Sequence, residues 1–325
     1  MGSLSLSKGE KMKKLVLILS ICALLLSCGN KALKDDCGCF VDYDEALTSA
    51  GKDNEPLLII LTQDGENISV SSKYTVFHAD FSQNAHQKMT APDEATSDQQ
   101  QLANTYTTIM QKNYQLAILL GVSQMPAAFL CTKEGYVVAE ISGADYTDKA
   151  SFENKINSFD SELERFNKLV AQTKKGSAID KVEAIDGIFM ATDQTYRTFL
   201  LPLVQKAIEL DKTNETGLIG KFILAQAQAQ AMVYYSQGDV EEAVKQYLTA
   251  ANNEFLKAEE KQECFYTAAY LVTASGSTDY EGIIEYMQTA YDLAPNSSKA
   301  PAIKDAIAYF ETVAEKSAEY EESQE

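Results

Sequence analysis

Pro56-Leu57-Leu58-Ile59-Ile60-Leu61-Thr62 is an unbroken apolar run closed by a hydroxyl. A strand with one wet face alternates apolar and polar residues. One that is apolar at every position is covered on both faces. The run therefore predicts a central strand with helices on either side of its sheet. Outward from it, Tyr43 to Gly51 reads as a short helix with Ala46 and Leu47 on its apolar face. Thr75 to Phe81 reads as a second strand, residues 83–99 as a long polar loop containing Pro92, and Leu102 to Leu120 as a helix. Ala127 to Thr132 and Val137 to Ser142 read as strands joined by the turn Lys133-Glu134-Gly135-Tyr136. Phe152 to Leu169 reads as one amphipathic helix, with Phe152, Ile156, Phe159, Leu163 and Phe166 three or four residues apart. The expectation is an α/β domain over residues 40–169, a central mixed sheet flanked by helices.

This order of pieces resembles the thioredoxin family. The matching stretches are Asp44-Glu45-Ala46-Leu47, Glu55 to Ile60, Leu119-Leu120-Gly121-Val122-Ser123-Gln124-Met125-Pro126, Lys133 to Val138, and Gly143. The resemblance implies a cis peptide bond at Pro126, facing the place where that family keeps its active site. Members that do redox chemistry carry Cys-x-x-Cys just after the first central strand, at a helix N-terminus that lowers the first thiol's pKa. Here that stretch runs through Asp64, Gly65, Glu66 and Asn67, and no cysteine occurs between Cys39 and Cys131. Carboxylates do not attack a disulfide as a thiolate does, and Ser69, Ser71 and Ser72 gain no adjacent base from the sequence. No catalytic residue of the family carries over.

Other reactive groups are sparse. Cys37 and Cys39 form a Cys-x-Cys pair in a short polar stretch. They read either as a structural or incidental pair, or as a redox pair or half of a metal site, and a redox pair would make the chain a thiol-disulfide oxidoreductase. Cys131, inside a strand, reads as a buried small hydrophobe. His78 falls in a strand and His86 in the polar loop, each expected to be satisfied or solvated. No His, Cys or carboxylate cluster has metal-ligand spacing, so neither metal nor cofactor is expected. Asp64, Glu66 and Asp80 are acid/base candidates only in the sense that any of many carboxylates is.

The N-terminus carries the sharpest targeting pattern. Met12-Lys13-Lys14 is a positive n-region, with Met12 the expected start. Leu15 to Leu26 is an apolar run too short to span a bilayer but suited to a signal peptide over residues 1–27. Leu25-Leu26-Ser27-Cys28 resembles the lipobox of bacterial lipoproteins. That resemblance implies lipidation of the Cys28 thiol, cleavage before it, a lipidated tether over residues 28–39, and a cell-envelope location outside the cytoplasm. Cleavage removes four lysines and one glutamate, leaving 24 basic and 46 acidic residues, a charge near −22. Such a surface repels phosphate backbones and excludes a nucleic-acid role.

The C-terminal half is helical by pattern over 178–320, in segments 178–192, 195–210, 214–236, 239–257, 260–275, 279–293 and 300–319, with an acidic tail at 321–325. Asp239 and Asp279 read as N-caps, and Pro202 belongs in a first turn. Ala231, Tyr234, Gly238, Ala243, Tyr247 and Ala250, then Ala290 and Pro295, resemble the small and aromatic positions of tetratricopeptide repeats. The spacing of the Ala anchors at 207, 250 and 290 makes the array degenerate. Phe255, Phe265, Tyr266 and Tyr270 read as core or contact surface. Such arrays commonly hold a peptide or another protein. The functional expectation is therefore a membrane-anchored binding or scaffold module, with the Cys37/Cys39 oxidoreductase as the alternative.

Overall fold

The computed structural model describes residues 32–63, 70, 73–143, 145 and 148–322, with side chains to residue 319. The expected signal segment, Cys28 and the stretch Asp64 to Asn67 lie outside these residues. Two compact units divide at Glu164 and Arg165.

The first unit runs α1 (Tyr43–Asp53), β1 (Leu57–Thr62), β2 (Thr75–Asp80), α2 (Gln83–Gln87), α3 (Ser97–Leu119), β3 (Ala127–Cys131), β4 (Val137–Glu140) and α4 (Lys149–Asn157). Its sheet has the order β2-β1-β3-β4. β1 pairs parallel with β2 and antiparallel with β3, and β3 pairs antiparallel with β4. All six residues of β1 are buried, as its composition demands. Side chains alternate across a strand. Leu58 and Ile60 thus share one face with Ala128 and Leu130, where they meet Phe152, Ile156 and Leu163. Leu57, Ile59 and Leu61 point the other way, the side on which Tyr43 of α1 sets its ring edge-on to Phe77 at 5.7 Å.

Three differences from the sequence reading have local causes. The polar stretch 83–99 contains α2, capped by Ser82, and α3 begins at Ser97 because Thr96 and Gln99 form a capping box. The helix expected over 152–169 is two, α4 and α5 (Asp160–Gln172), since Ser158 caps α4 and its hydroxyl donates to the Lys155 carbonyl. In the stretch read as a tether, the described residues from 32 on reach the sheet. Lys34 bridges Phe40, and Phe40 bridges Phe77 on the open edge of β2.

The second unit contains most of α5, then α6 (Ala178–Ala191), a 3₁₀ helix (Gln194–Leu200), α7 (Leu201–Leu210), α8 (Ile219–Ser236), α9 (Val240–Ala251), α10 (Ala258–Ala274), α11 (Tyr280–Leu293) and α12 (Ala300–Glu322). Pro202 sits in the first turn of α7, and Asp239 and Asp279 cap α9 and α11. α8 starts five residues later than its periodicity suggests. The buried Asp211 organises the preceding loop, accepting from the backbone of Glu215 and Thr216 and from the Thr216 hydroxyl. α9 ends six residues before 257, in the loop that carries Phe255. From α6 to α12 each helix packs on its successor. Small residues set the approach: Ala227, Ala231, Ala243 and Ala250 are buried together with Tyr247 and Cys264. Ala290 joins Ala269, Ile283, Met287 and Ile303 in a second cluster. Among the described residues no helix is long and apolar enough to cross a membrane.

Candidate functional site

The C-terminal ends of β1 and β2 carry the most concentrated polar chemistry of the first unit. His78 of β2 is 6% exposed and lies beside Thr62 of β1, a residue with no exposed surface. Its Nε2 is 2.9 Å from Thr62 Oγ1. Its Nδ1 is 2.7 Å from Asp35 Oδ2, on the segment before α1. The other Asp35 oxygen, Oδ1, accepts from the backbone N–H groups of Cys37 and Cys39, each at 2.9 Å. Burial raises the Asp35 carboxyl pKa, but its bond to His78 and the two backbone donors more than offset this and hold it below the usual carboxylate range. In the tautomer whose Nδ1–H donates to the carboxylate, Nε2 accepts from the Thr62 hydroxyl.

A hydroxyl, an imidazole and a carboxylate in this order resemble a nucleophile, its base and the group that orients the base. Burial decides against that use, because an attacking oxygen must touch its substrate and Thr62 is sealed. What the relay does is satisfy the buried Thr62 and His78 with the half-buried Asp35 and fasten the segment around Cys37 and Cys39 to the sheet.

A cavity of about 120 Å³ lies beside the relay, lined by Asp35, Asp36, Cys37, His78 and Asp80 on its polar side. Val41, Ala85, Ile109 and Met110 supply apolar wall, and Lys88, Tyr106 and Asn113 complete it. Asp80 is held by Ser82, whose backbone N–H and hydroxyl donate to its two oxygens at 2.9 and 3.0 Å. Lys88 extends over the Tyr106 ring, 5.8 Å from its centre.

The other residues singled out from sequence fall as follows. The Met125-Pro126 bond is cis, immediately before β3. Leu61 pairs with Ala127, so Pro126 stands at the same sheet end as Thr62. Cys37 is exposed. Cys39 is a buried thiol not joined in a disulfide, and burial with the nearby Asp35 charge pushes its pKa up to about 12. Cys131 is fully buried, which raises its thiol pKa strongly. His86 is bonded at both ring nitrogens, to the Ser82 carbonyl and the Tyr114 hydroxyl. Among the described residues no His, Cys, Asp or Glu group is arranged to hold a metal. Ala231, Tyr234, Ala243, Tyr247 and Ala250 converge in one cluster. Gly238 makes the following turn at φ +77°, and Pro295 follows the end of α11. Phe265 and Tyr266 are half-buried against the helix stack, Phe255 is half-buried in its loop, and Tyr270 is 60% exposed.

Sequence reasoning missed Asp35 and Asn113. Asp35 lies 43 residues from His78 in a polar stretch and carries no periodic signal. Asn113 had one: it occupies an inward position among the buried Ile109, Met110, Leu116 and Ala117 of α3.

Residues 218–316 match a family described as an uncharacterised protein C-terminal domain. These residues span α8 to α11 and much of α12. An uncharacterised protein of Treponema pallidum (strain Nichols) is 29% identical over 139 residues, 42% of this chain and 45% of that protein. The match thus spans less than half the length of that relative. No solved structure matches the chain.

Proposed function

We propose that the protein is a lipid-anchored, extracytoplasmic lipoprotein that binds a protein or peptide without catalysing a reaction on it. The observation that carries this reading is the packing of α6 to α12, each on its successor, with buried alanines at 227, 231, 243, 250 and 290 in the clusters from α8 onward. Chains of helix pairs built in this way expose long surfaces suited to holding another chain, which supports a degenerate tetratricopeptide-like array. The mixed sheet, its strand order and the cis bond before β3 support a thioredoxin-like first domain. The lipobox at Leu25 to Cys28 supports the anchor, and the absence of cysteine at Asp64 to Asn67 supports a domain without the family's dithiol chemistry.

Crosslinking in intact envelopes followed by purification of the tagged chain tests the binding role. Recovery of a defined partner, lost on deleting residues 218–316, is the expected result. Absence of any crosslinked partner counts against it. Metabolic labelling with an alkyne fatty acid tests the anchor, since Cys28→Ala must abolish incorporation.

One observation favours the oxidoreductase alternative: Cys37 is exposed and Cys39 buried, the attacker and resolver arrangement of a dithiol enzyme. The carboxylates of Asp35, Asp36 and Asp80 around the same cavity oppose a thiolate there. Insulin reduction by the wild-type chain, abolished by Cys39→Ser, would establish this alternative over the passive role.

A further inference from the structure

We propose that the cavity beside His78 is a receptor for a primary alkylammonium group, its carboxylates holding the charge and α3 holding the alkyl chain. Three carboxylates, Asp35, Asp36 and Asp80, face it against one lysine, Lys88. A second, independent observation points to a donor. Asn113 lines the cavity and is only 3% exposed, yet among the described residues its buried Oδ1 has no hydrogen-bond partner. The orientation of this amide is fixed, because Nδ2 donates to the Val41 carbonyl at 3.4 Å and a flipped oxygen would face another oxygen there. An unpaired buried acceptor is costly.

Size and lining set the rest of the ligand. About 120 Å³ is comparable to a cavity of about 150 Å³ that accepts a benzene ring, so it suits a four-carbon chain. Ile109, Met110, Val41 and Ala85 offer methylene contacts. The Tyr106 ring, now under the Lys88 ammonium, is a second cation-attracting surface. The same group is carried by a lysine side chain and by a small free amine. The lysine source rests on the binding-module reading; the free-amine source does not.

The test is an NMR titration of the full chain, following the Met110 methyl and the Asn113 side-chain amide. The probes are n-butylammonium, Nα-acetyl-lysine N-methylamide, and the norleucine analogue, which keeps the chain and lacks the charge. Both amines are expected to shift the two signals, and the norleucine compound to bind at least tenfold more weakly. Asp36→Asn and Asp80→Asn each weaken binding about two- to fivefold, and Lys88→Met tightens it by a similar factor, as expected for partly exposed charge pairs. Asn113→Leu weakens binding while the unfolding midpoint holds or rises, a combination a purely structural residue would not give. Asp36 and Lys88 are exposed, so their variants read binding without a folding defect. Tighter binding of the lysine probe than of butylammonium assigns the site to a protein lysine, and equal binding assigns it to a free amine. Equal affinity for the norleucine probe, or indifference to Asp36→Asn and Lys88→Met, overturns the proposal. A crosslinked partner recovered when no probe shifts the signals ends this proposal and leaves the binding-module reading standing. Probe binding with no partner recovered does the reverse.

Discussion

Asp35 Oδ2 lies 2.7 Å from His78 Nδ1, so a carboxylate upstream of the first helix is clamped to the second strand of the sheet. The same carboxylate holds the Cys37 and Cys39 backbone through its other oxygen. One side chain thus orders a loop and completes a buried relay.

Asp35→Ala leaves His78 Nδ1 and two N–H groups without their acceptor. Loss of about 2–3 kcal/mol is expected, read as a lower urea midpoint with unchanged slope, together with faster amide exchange at Cys37 and Cys39. Retention of both midpoint and protection would show that the clamp contributes nothing.

The clamp also fixes a sign for pH. Asp35 is held below the usual carboxylate range in the folded state. Its contribution is therefore complete above the unfolded value of about 4 and fades as pH falls through the lower folded one. Stability profiles of the wild type and Asp35→Asn should converge toward pH 2 and separate above pH 4. A gap that widens in acid would contradict this.

Thiol accessibility gives a chemical check. With its pKa pushed up to about 12 and its surface buried, Cys39 should resist iodoacetamide at pH 8, as should Cys131 and Cys264. Exposed Cys37 should be labelled first, and the other three only after unfolding. Peptide mass spectrometry against time separates the two phases. Labelling of Cys39 at the rate of Cys37 would mean the segment opens freely.

In the helical unit, Gly220 stands where α8 meets the loop after α9. A Cβ there would lie 2.6 Å from the Phe255 carbonyl oxygen. Gly220→Ala must push backbone apart and should cost about 1–3 kcal/mol. At Gly238 a Cβ meets open space, so Gly238→Ala should cost only the left-handed conformation, about 1–2 kcal/mol. Thermal midpoints read both losses, and an unchanged midpoint for either variant contradicts its penalty.

Gln262 of α10 is 1% exposed and ties that helix to the end of α11 and the loop before α12. Its Nε2 donates to the Ala290 and Ala294 carbonyls at 3.0 Å, and its Oε1 accepts from Ser297. Gln262→Leu keeps the volume and orphans those groups, so about 2–4 kcal/mol should be lost. Exchange at the start of α12 should rise with it.

What could be read from the chain follows from how each signal is encoded. Leu57 to Thr62 announces a central strand because its first five positions are apolar, and all six prove buried. The Ala and Tyr anchors of α8 and α9 were legible because their neighbours in space are also near in sequence. The break between α4 and α5 was not, because Ile156, Phe159 and Leu163 keep helical spacing across it, and periodicity does not register a cap. The relay was hidden for the opposite reason. Asp35, Thr62 and His78 each sit in an unrelated local pattern: the pairing of β1 with β2 brings Thr62 to His78, and the segment that bridges β2 at Phe40 and Phe77 brings Asp35.

The one-after-another packing of the last seven helices has a mechanical corollary. Among the described residues no strand pairing or long crossover bolts the far end of that stack to its beginning, so tension applied at the carboxyl end meets each interface in turn. The stack would yield as a succession of small extensions, α12 peeling first. A pulled molecule could lose its outermost helices while the alanine-lined pairs behind them stay folded and able to re-seat them when the load is released.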